Sequence, residues 1–190
     1  MQGMYLWRKV SIVFLLTIFL LFEADLLTAQ SGLPATRPEP RGFASIKLGQ
    51  DVETVKEELK KESYFNYRGD PDVSFLPHTE QILIECSGFT YVRRGYFQFN
   101  DKKLYIIIIE LNRDEVDYFS TYSALVAKYG EPTSITPTEA VWDYKTSRLS
   151  LEKPLSVKYV DKGVLKKLVE EGKAKKSFAD TALDDFLKQF

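Results

Sequence analysis

Residues 103–111, with the sequence Lys-Leu-Tyr-Ile-Ile-Ile-Ile-Glu-Leu, are apolar at seven of nine positions. A strand that is buried on one face alternates apolar and polar side chains, whereas this run is apolar at consecutive positions. The run therefore predicts a central strand of a sheet that is covered on both faces. The alternative is a strand at an interface, where a partner covers one of its faces.

Short segments rich in β-branched and aromatic residues on both sides of this run predict further strands. These segments are Val73–Leu76, Ile82–Cys86, Phe89–Val92, Tyr96–Phe99, Glu139–Tyr144, Arg148–Glu152 and Ser156–Val160. The tripeptide Asn100-Asp101-Lys102 has the residue types of a hairpin connection, so Tyr96–Phe99 should pair with the central run.

Two helices are predicted among the strands. Asp51 can cap the first, whose apolar positions, including Val55 and Leu59, recur on one face. The second spans residues 115–129 and ends at Gly130. With helices again at the end of the chain, this order predicts an α+β fold in which helices pack on a mainly antiparallel sheet. It also suggests two successive helix-then-strands units, although residue identity between them does not establish a duplication.

The first 29 residues have the three parts of a secretory signal. Arg8 and Lys9 provide the positive start, Val10–Phe22 is apolar except for two hydroxyl residues, and a more polar run ends on the small residue Ala29. The apolar stretch is shorter than the roughly 20 residues of a membrane span. We therefore expect residues 1–29 to be a signal peptide and the rest to be periplasmic or cell-envelope associated. A retained N-terminal membrane anchor is the alternative.

The remainder divides into three parts by composition. Residues 30–42 hold three prolines and two glycines, which predicts an extended tether. An α+β domain should occupy residues 43–161, and a helical segment residues 162–190. The net charge of −1 argues against general nucleic-acid binding, because that function needs a strongly basic surface.

Cys86 is the single cysteine, so the chain cannot form an internal disulfide. It continues the face of Ile82 and Ile84 in a predicted strand, and we therefore expect a buried, unpaired thiol. An intermolecular disulfide is the alternative.

No residue pattern predicts catalysis, a metal or a cofactor. His78, the single histidine, lies in a predicted turn, and the chain lacks a nucleophile motif. Zinc would have one histidine and one cysteine to bind. The alternation of Asp70 and Asp72 resembles a calcium loop but lacks its glycine and its final glutamate. Paired acids such as Asp184 and Asp185 leave a carboxylate-dependent hydrolase as the last alternative.

Aromatic residues of the predicted strands are candidate binding residues. Most should lie in the core, but alternation along one strand should leave one aromatic face that a protein or a glycan could contact. The candidates are Tyr96, Phe97, Phe99, Trp142 and Tyr144.

A lysine-rich segment, residues 162–176, predicts either a solvated helix or a contact with an anionic membrane surface or an acidic partner. Its lysines are Lys162, Lys166, Lys167, Lys173, Lys175 and Lys176. The final residues, 178–190, have apolar side chains at helical spacing and should dock on the domain or on another chain.

Two stretches resemble a known kind of exported protein. Ile46-Lys47-Leu48-Gly49 precedes the first helix, and Leu125-Val126-Ala127-Lys128-Tyr129-Gly130-Glu131-Pro132 precedes Trp142-Asp143-Tyr144. This arrangement resembles small envelope proteins of the outer-membrane-assembly lipoprotein and β-lactamase-inhibitor-like type, although the lipid-accepting cysteine of the lipoproteins is missing. The resemblance implies helices on an antiparallel sheet and a function in binding other proteins.

The sequence thus predicts an exported, non-catalytic binding or assembly module that uses a protein–protein face, with another envelope protein as its partner. A periplasmic protein that binds a small ligand or a glycan between sheet and helices is the alternative.

Overall fold

A computed structural model describes residues 37–75 and 81–170, which belong to one structural unit beginning at Arg37. The predicted signal peptide, most of the predicted tether, His78 and the residues after Glu170 lie outside the described residues. The described part contains eleven strands and three α-helices.

Nine strands of the described part form one sheet, and two form a separate small hairpin. The hairpin strands are β1 (Gly42–Phe43) and β2 (Ile46–Lys47). The sheet strands are β3 (Phe65–Asn66), β4 (Val73–Phe75), β5 (Ile82–Gly88), β6 (Val92–Asn100), β7 (Lys103–Leu111), β8 (Ser134–Ile135), β9 (Glu139–Asp143), β10 (Ser147–Glu152) and β11 (Ser156–Asp161).

Aspartate caps determine where the first two helices begin. Helix α1 (Val52–Lys61) follows Asp51, whose carboxylate accepts a hydrogen bond from the Thr54 backbone N–H at 2.9 Å. Helix α2 (Tyr118–Tyr129) follows Asp117, which accepts one from the Ser120 N–H at 2.8 Å. This cap explains why α2 begins later than predicted. Helix α3 comprises Lys162–Glu170.

The sheet has the order β3-β5-β6-β7-β11-β10-β9-β8, with β4 also paired to β5, and every pairing is antiparallel. The predicted α+β class with a mainly antiparallel sheet is confirmed. Strand β7 lies in the middle of the sheet, between β6 and β11. The side chains from Leu104 to Ile109 are all buried. The prediction of a central strand covered on both faces is therefore also confirmed.

Helices cover both faces of the sheet. Helices α1 and α2 and the small hairpin pack on the first face, against a core that includes Phe97, Ile107 and Leu149. Helix α3 packs on the second face, where Leu168 joins the cluster that contains Ile108. From Ile106 to Ile109 the side chains of β7 alternate between these two cores, and for this reason both of its faces are apolar.

The connection between β5 and β6 differs from its prediction. Strand β5 extends to Gly88 and β6 begins at Val92, so the predicted strand Phe89–Val92 is mostly a turn, in which Thr90 has a φ of 43°. By contrast, the predicted hairpin connection between β6 and β7 is confirmed. Asp101 and Lys102 both have positive φ, at 48° and 61°, as a two-residue hairpin turn requires.

The last residues of the predicted tether are attached to the folded unit. The Glu39 carboxylate accepts hydrogen bonds from the backbone N–H groups of Thr146 and Ser147, both at 2.8 Å, and from both of their hydroxyls. Arg41 donates to the Thr146 hydroxyl at 2.9 Å and pairs with Asp161 at 3.5 Å. The chain is therefore fixed against the turn between β9 and β10 before β1 begins.

We expect Glu39→Gln to destabilise the fold at neutral pH and to have a smaller effect in acid. Burial alone would raise the pKa of the Glu39 carboxyl, but the hydrogen bonds from Thr146 and Ser147 lower it below its ordinary value. A carboxyl with a depressed pKa stabilises the fold above the pKa of the unfolded chain. That contribution is lost as the pH falls through the folded-state pKa.

Urea unfolding at neutral pH and in acid measures this difference. The control is Glu53→Gln on the exposed face of α1. An equal loss of stability at both pH values for Glu39→Gln would show that the ionised carboxylate does not carry the contact.

Candidate functional site

The aromatic residues predicted to form an exposed face of the β6–β7 hairpin are buried. Phe97 and Phe99 lie in the core of the first face, and Tyr96 lies in the cluster of the second face. The expectation of an exposed aromatic face is wrong because both faces of β6 are covered. These three side chains offer no surface to a partner.

Trp142 and Tyr144 hold the end of α2 against β9. Trp142 is buried, and its Nε1 donates a hydrogen bond to the Gly130 carbonyl at 2.6 Å. The half-buried Tyr144 donates its hydroxyl to the Tyr129 carbonyl at 3.0 Å. Carbonyls at a helix end have no partner within the helix, so these bonds satisfy acceptors that would otherwise be unpaired. The two aromatics have a structural role here.

The described lysines of the predicted cationic segment face acidic neighbours. Lys162 Nζ lies 3.0 Å from Asp143, Lys166 pairs with Glu170 at 3.8 Å, and Lys167 lies 4.0 Å from Asp101. Their positive charge is therefore locally balanced. The other three residues of the predicted patch, Lys173, Lys175 and Lys176, lie outside the described residues.

The predicted buried thiol is confirmed. Cys86 is buried and unpaired in the core of the first face. Burial raises the pKa of its thiol to about 12, and the negative charges of Asp72 and Glu85 act in the same direction. A thiol with so high a pKa is a poor nucleophile at neutral pH, because the thiolate is the reactive form.

The aspartates that resemble a calcium loop belong to a turn. The side chain of Asp72 is buried, and it accepts hydrogen bonds from the Arg68 backbone N–H and guanidinium at 2.6–3.0 Å. In the part of the chain that the structure describes, no group of three or more histidine, cysteine, aspartate or glutamate side chains could hold a metal ion.

An open cavity of about 310 Å³ lies on the first face beside α2. Its floor is formed by the two central strands, with Ile109 of β7 next to its register partner Val157 of β11. Thr121 and Ala124 of α2 form one wall, and Phe43 of the small hairpin lies on the other side. We refer to this cavity as the α2 groove. It is mostly apolar.

The wall opposite α2 depends on the tight turn of the β1–β2 hairpin. Ala44 in this turn has a φ of 50°, and at Gly42 an added Cβ would collide with the Ile46 carbonyl. The absence of a side chain at Gly42 therefore permits the two short strands to approach each other. The hairpin places Phe43 against the exposed ring of Tyr64, with the ring centroids 5.5 Å apart.

Two lysines give the rim of the α2 groove a positive charge. Lys128 lines the groove, and its ammonium lies 5.2 Å from the centroid of the Tyr129 ring. The ammonium group of Lys47 donates a hydrogen bond to the carbonyl of Ala44, which lines the groove. Burial lowers the pKa of Lys47, and the positive charge of Lys128 lowers it further, whereas Glu62 opposes the shift. Lys47 therefore has both a cation, Lys128, and an anion, Glu62, in its electrostatic surroundings.

Exposed aromatic side chains lie in the connections next to Tyr64 of the groove. Tyr64, which lines the groove, accepts a backbone hydrogen bond from Phe89 at 3.0 Å, and Tyr91 accepts one from Asn112. Tyr64, Phe89 and Tyr91 are each between 40% and 54% exposed. We refer to these three exposed rings as the aromatic edge of the α2 groove.

Sequence reasoning did not identify this site. Its walls include strands of two residues, which have too few positions to show an alternating pattern. Tyr64 lies outside every predicted strand, and Phe89 and Tyr91 lie in the predicted strand Phe89–Val92. The available signal is the local concentration of aromatic residues just after Ser87-Gly88, at the end of β5.

These features define an α+β protein with an antiparallel sheet, an apolar groove and an aromatic edge. A sequence model of the TP0088 domain matches residues 41–171, and the chain belongs to this family. The matched range contains all the described strands and helices and therefore the whole α2 groove. No curated protein and no solved structure matches the chain. No helix in the described ranges is long and apolar enough to cross a membrane.

We expect Trp142→Ala to reduce the free energy of unfolding by about 3–5 kcal/mol, because it removes a buried ring and its hydrogen bond. Phe119→Ala, at a position that is 75% exposed on α2, should change it by less than about 0.5 kcal/mol. Urea denaturation of both variants measures the difference. Equal stability of the two variants would contradict the assignment of Trp142 to the core.

Proposed function

We propose that this chain is an exported, non-catalytic binding module of the cell envelope, which binds a partner protein at the α2 groove and its aromatic edge. The observation that carries the proposal is the open, mostly apolar groove on the first face. Exposed apolar surface beside half-exposed aromatic rings is typical of sites that bind other molecules.

The size of the groove favours a protein partner. Its volume of about 310 Å³ lies at the lower end of the roughly 300–1,000 Å³ found for small-molecule sites. An open groove of this size can take an apolar side chain or two, while the rest of the ligand stays outside. A protein segment would add contacts with Tyr64, Phe89 and Tyr91, which lie beyond the groove itself.

The charge at the rim indicates the chemistry of that segment. Lys47 is partly desolvated, and the positive charge of Lys128 acts on it, while Glu62 offsets part of this effect. A carboxylate placed between the two lysines would relieve their repulsion. We therefore propose that the partner inserts an apolar side chain that is flanked by at least one acidic residue, since complementary charge favours the correct encounter.

The proposed place in the cell envelope rests on the sequence of residues 1–29 and on the resemblance to small exported envelope proteins. The arrangement of the elements supports a related proposal, that the fold consists of two helix-then-strands units. Each unit would comprise a helix with an aspartate cap, a short edge strand and a three-stranded meander. The final strands of the two units, β7 and β11, pair at the centre of the sheet.

A second candidate function is the binding of a small amphipathic ligand, such as a fatty acid, in the same groove. The specific observation in its favour is the tyrosine lining, from Tyr64, Tyr129 and Tyr159, beside Lys128. Burial raises the pKa of the Tyr159 hydroxyl, and its hydrogen bond with Tyr129 raises it further, so the two hydroxyls form a polar pair in the lining of an otherwise apolar groove.

Filling the groove tests the site. We expect Ala124→Trp to weaken partner binding about tenfold or more, equivalent to about 1.4 kcal/mol, because Ala124 is an exposed wall residue and the new ring would occupy the cavity. The matched control is Ala127→Trp, which is exposed on the same helix but does not line the groove. It should bind within about twofold of the unchanged chain.

Residues 30–190 serve as bait in a cross-linking pull-down from an envelope extract, and the affinity of the purified partner is then measured by calorimetry. Full affinity in Ala124→Trp would place the interface elsewhere and contradict the proposed site. If no partner is captured, binding of a fluorescent fatty acid that Ala124→Trp abolishes would support the second candidate over the first.

Charge reversal at the rim tests the proposed acidic partner. Lys128→Glu should slow association more than it speeds dissociation, and the effect should diminish as salt is added, because long-range attraction is screened. Lys145→Glu, an equal change at an exposed turn position away from the groove, is the control. Stopped-flow association at several salt concentrations gives the rates. Identical rates for the two variants would exclude an acidic group at this rim.

A further inference from the structure

A second open cavity, of about 340 Å³, lies at the end of the sheet formed by β3 and β4. We refer to it as the polar pocket, because every described residue of its lining except Pro71 has a polar or charged side chain. It shares no described lining residue with the α2 groove, whose floor is apolar. The two cavities therefore suit different ligands.

A row of side chains on three neighbouring strands lines the polar pocket. Ser87 of β5 lies opposite Asn66 of β3 and opposite Arg94 of β6 in the antiparallel register. Residues that lie directly opposite each other share one face of the sheet. This is the second face, because Ser87 is an even number of positions from Leu83 of the second-face cluster. With neighbouring strands about 4.8 Å apart, the row is about 10 Å long.

Two ion pairs fix the arginines of the polar pocket. The buried carboxylate of Asp72 accepts hydrogen bonds from Arg68 Nε and Nη2 at 3.0 and 2.6 Å. Glu85 Oε1 accepts one from Arg94 Nη1 at 2.6 Å. The side chains of Arg94 and Glu85 remain 48% and 37% exposed, so a ligand can reach both. Side chains that are already held in place lose less conformational entropy when a ligand binds.

The charges of the polar pocket balance, since its described lining has two guanidinium groups and two carboxylates. A charged ligand would therefore meet groups of its own sign as well as the opposite sign. Asn66, Ser74 and Ser87 are exposed, and their side chains make no hydrogen bond within the residues that the structure describes. With Glu85 and Arg94 they present donors and acceptors side by side. This lining matches a neutral ligand whose groups both donate and accept.

We propose that the polar pocket binds a saccharide. A sugar hydroxyl both donates and accepts hydrogen bonds, so neighbouring hydroxyls can donate to Glu85 and accept from Arg94. Hydrogen bonds to charged groups are stronger than those between neutral groups. The volume of about 340 Å³ lies within the roughly 300–1,000 Å³ of small-molecule sites and has room for a short saccharide. This site is additional to the proposed protein site at the α2 groove and does not depend on it.

NMR titration of ¹⁵N-labelled residues 30–190, which contain the whole structural unit from Arg37 onward, tests the proposal. The probes are glucose, galactose, mannose and N-acetylglucosamine, each as the free sugar and as a soluble oligomer. We expect at least one probe to shift the amides of residues 66–68, 85–87 and 94 in a saturable manner. Ser87→Ala should then weaken binding about threefold to tenfold, because it removes one hydrogen-bonding group from the row.

The matched control is Ser134→Ala, which changes an exposed serine of β8 outside the pocket and should leave the affinity unchanged. Ala124→Trp fills the α2 groove and should also leave saccharide binding unchanged, so the failure of one site is distinguishable from the failure of the other. Shifts caused by a free sugar would assign a small saccharide as the ligand, and shifts caused by oligomers alone would assign a glycan chain. Either result supports the proposal.

Three outcomes would overturn the saccharide site. The first is the absence of a saturable shift with every probe. The second is equal affinity of Ser87→Ala and Ser134→Ala for the probe that binds. The third is tighter binding of inorganic phosphate than of any sugar, which would show that the two arginines act as an anion site despite their carboxylate partners.

Discussion

The antiparallel pairing of β7 with β11 is the interaction on which the rest of the structure depends. It joins the strands on either side of the sheet centre, with Ile107 opposite Tyr159 and Ile109 opposite Val157. These side chains are buried, so the central strands need a cover on each face. The helices are placed by this requirement, because exposing either apolar face would forfeit the hydrophobic free energy that holds the sheet together.

The α2 groove follows from how the first face meets this requirement. Helices α1 and α2 cover its two sides, and the small hairpin fills part of the space above the central strands. Above the centre of the sheet, a gap remains between α2 and the hairpin. The remaining gap has the apolar floor of the core, but its walls include exposed positions such as Ala124, where side chains can change at little cost in stability.

The sequence was sufficient to predict elements whose pattern is local. Consecutive apolar residues identified β7, and the cap at Asp51 identified the start of α1. Exposure was harder to predict, because alternation along β6 separates Phe97 from Tyr96 without indicating whether one or both faces are covered. Coverage of the second face depends on α3, whose Leu168 shares a hydrophobic cluster with Tyr96 of β6 only through tertiary packing. The groove depends on the hairpin turn at Ala44, for which no pattern in the sequence was strong enough.

The same physical distinction separates core aromatics from those available for binding. Trp142 and Phe97 come from the interiors of paired strands, where neighbouring strands and helices surround them. Tyr64 and Tyr91 come from connections, which lie at the surface because their backbone groups need solvent or nearby partners. At 40% and 54% exposure, these two rings gain less from burial within their own fold than the core aromatics do. For this reason the proposed partner site includes the aromatic residues of the connections and excludes those of the core.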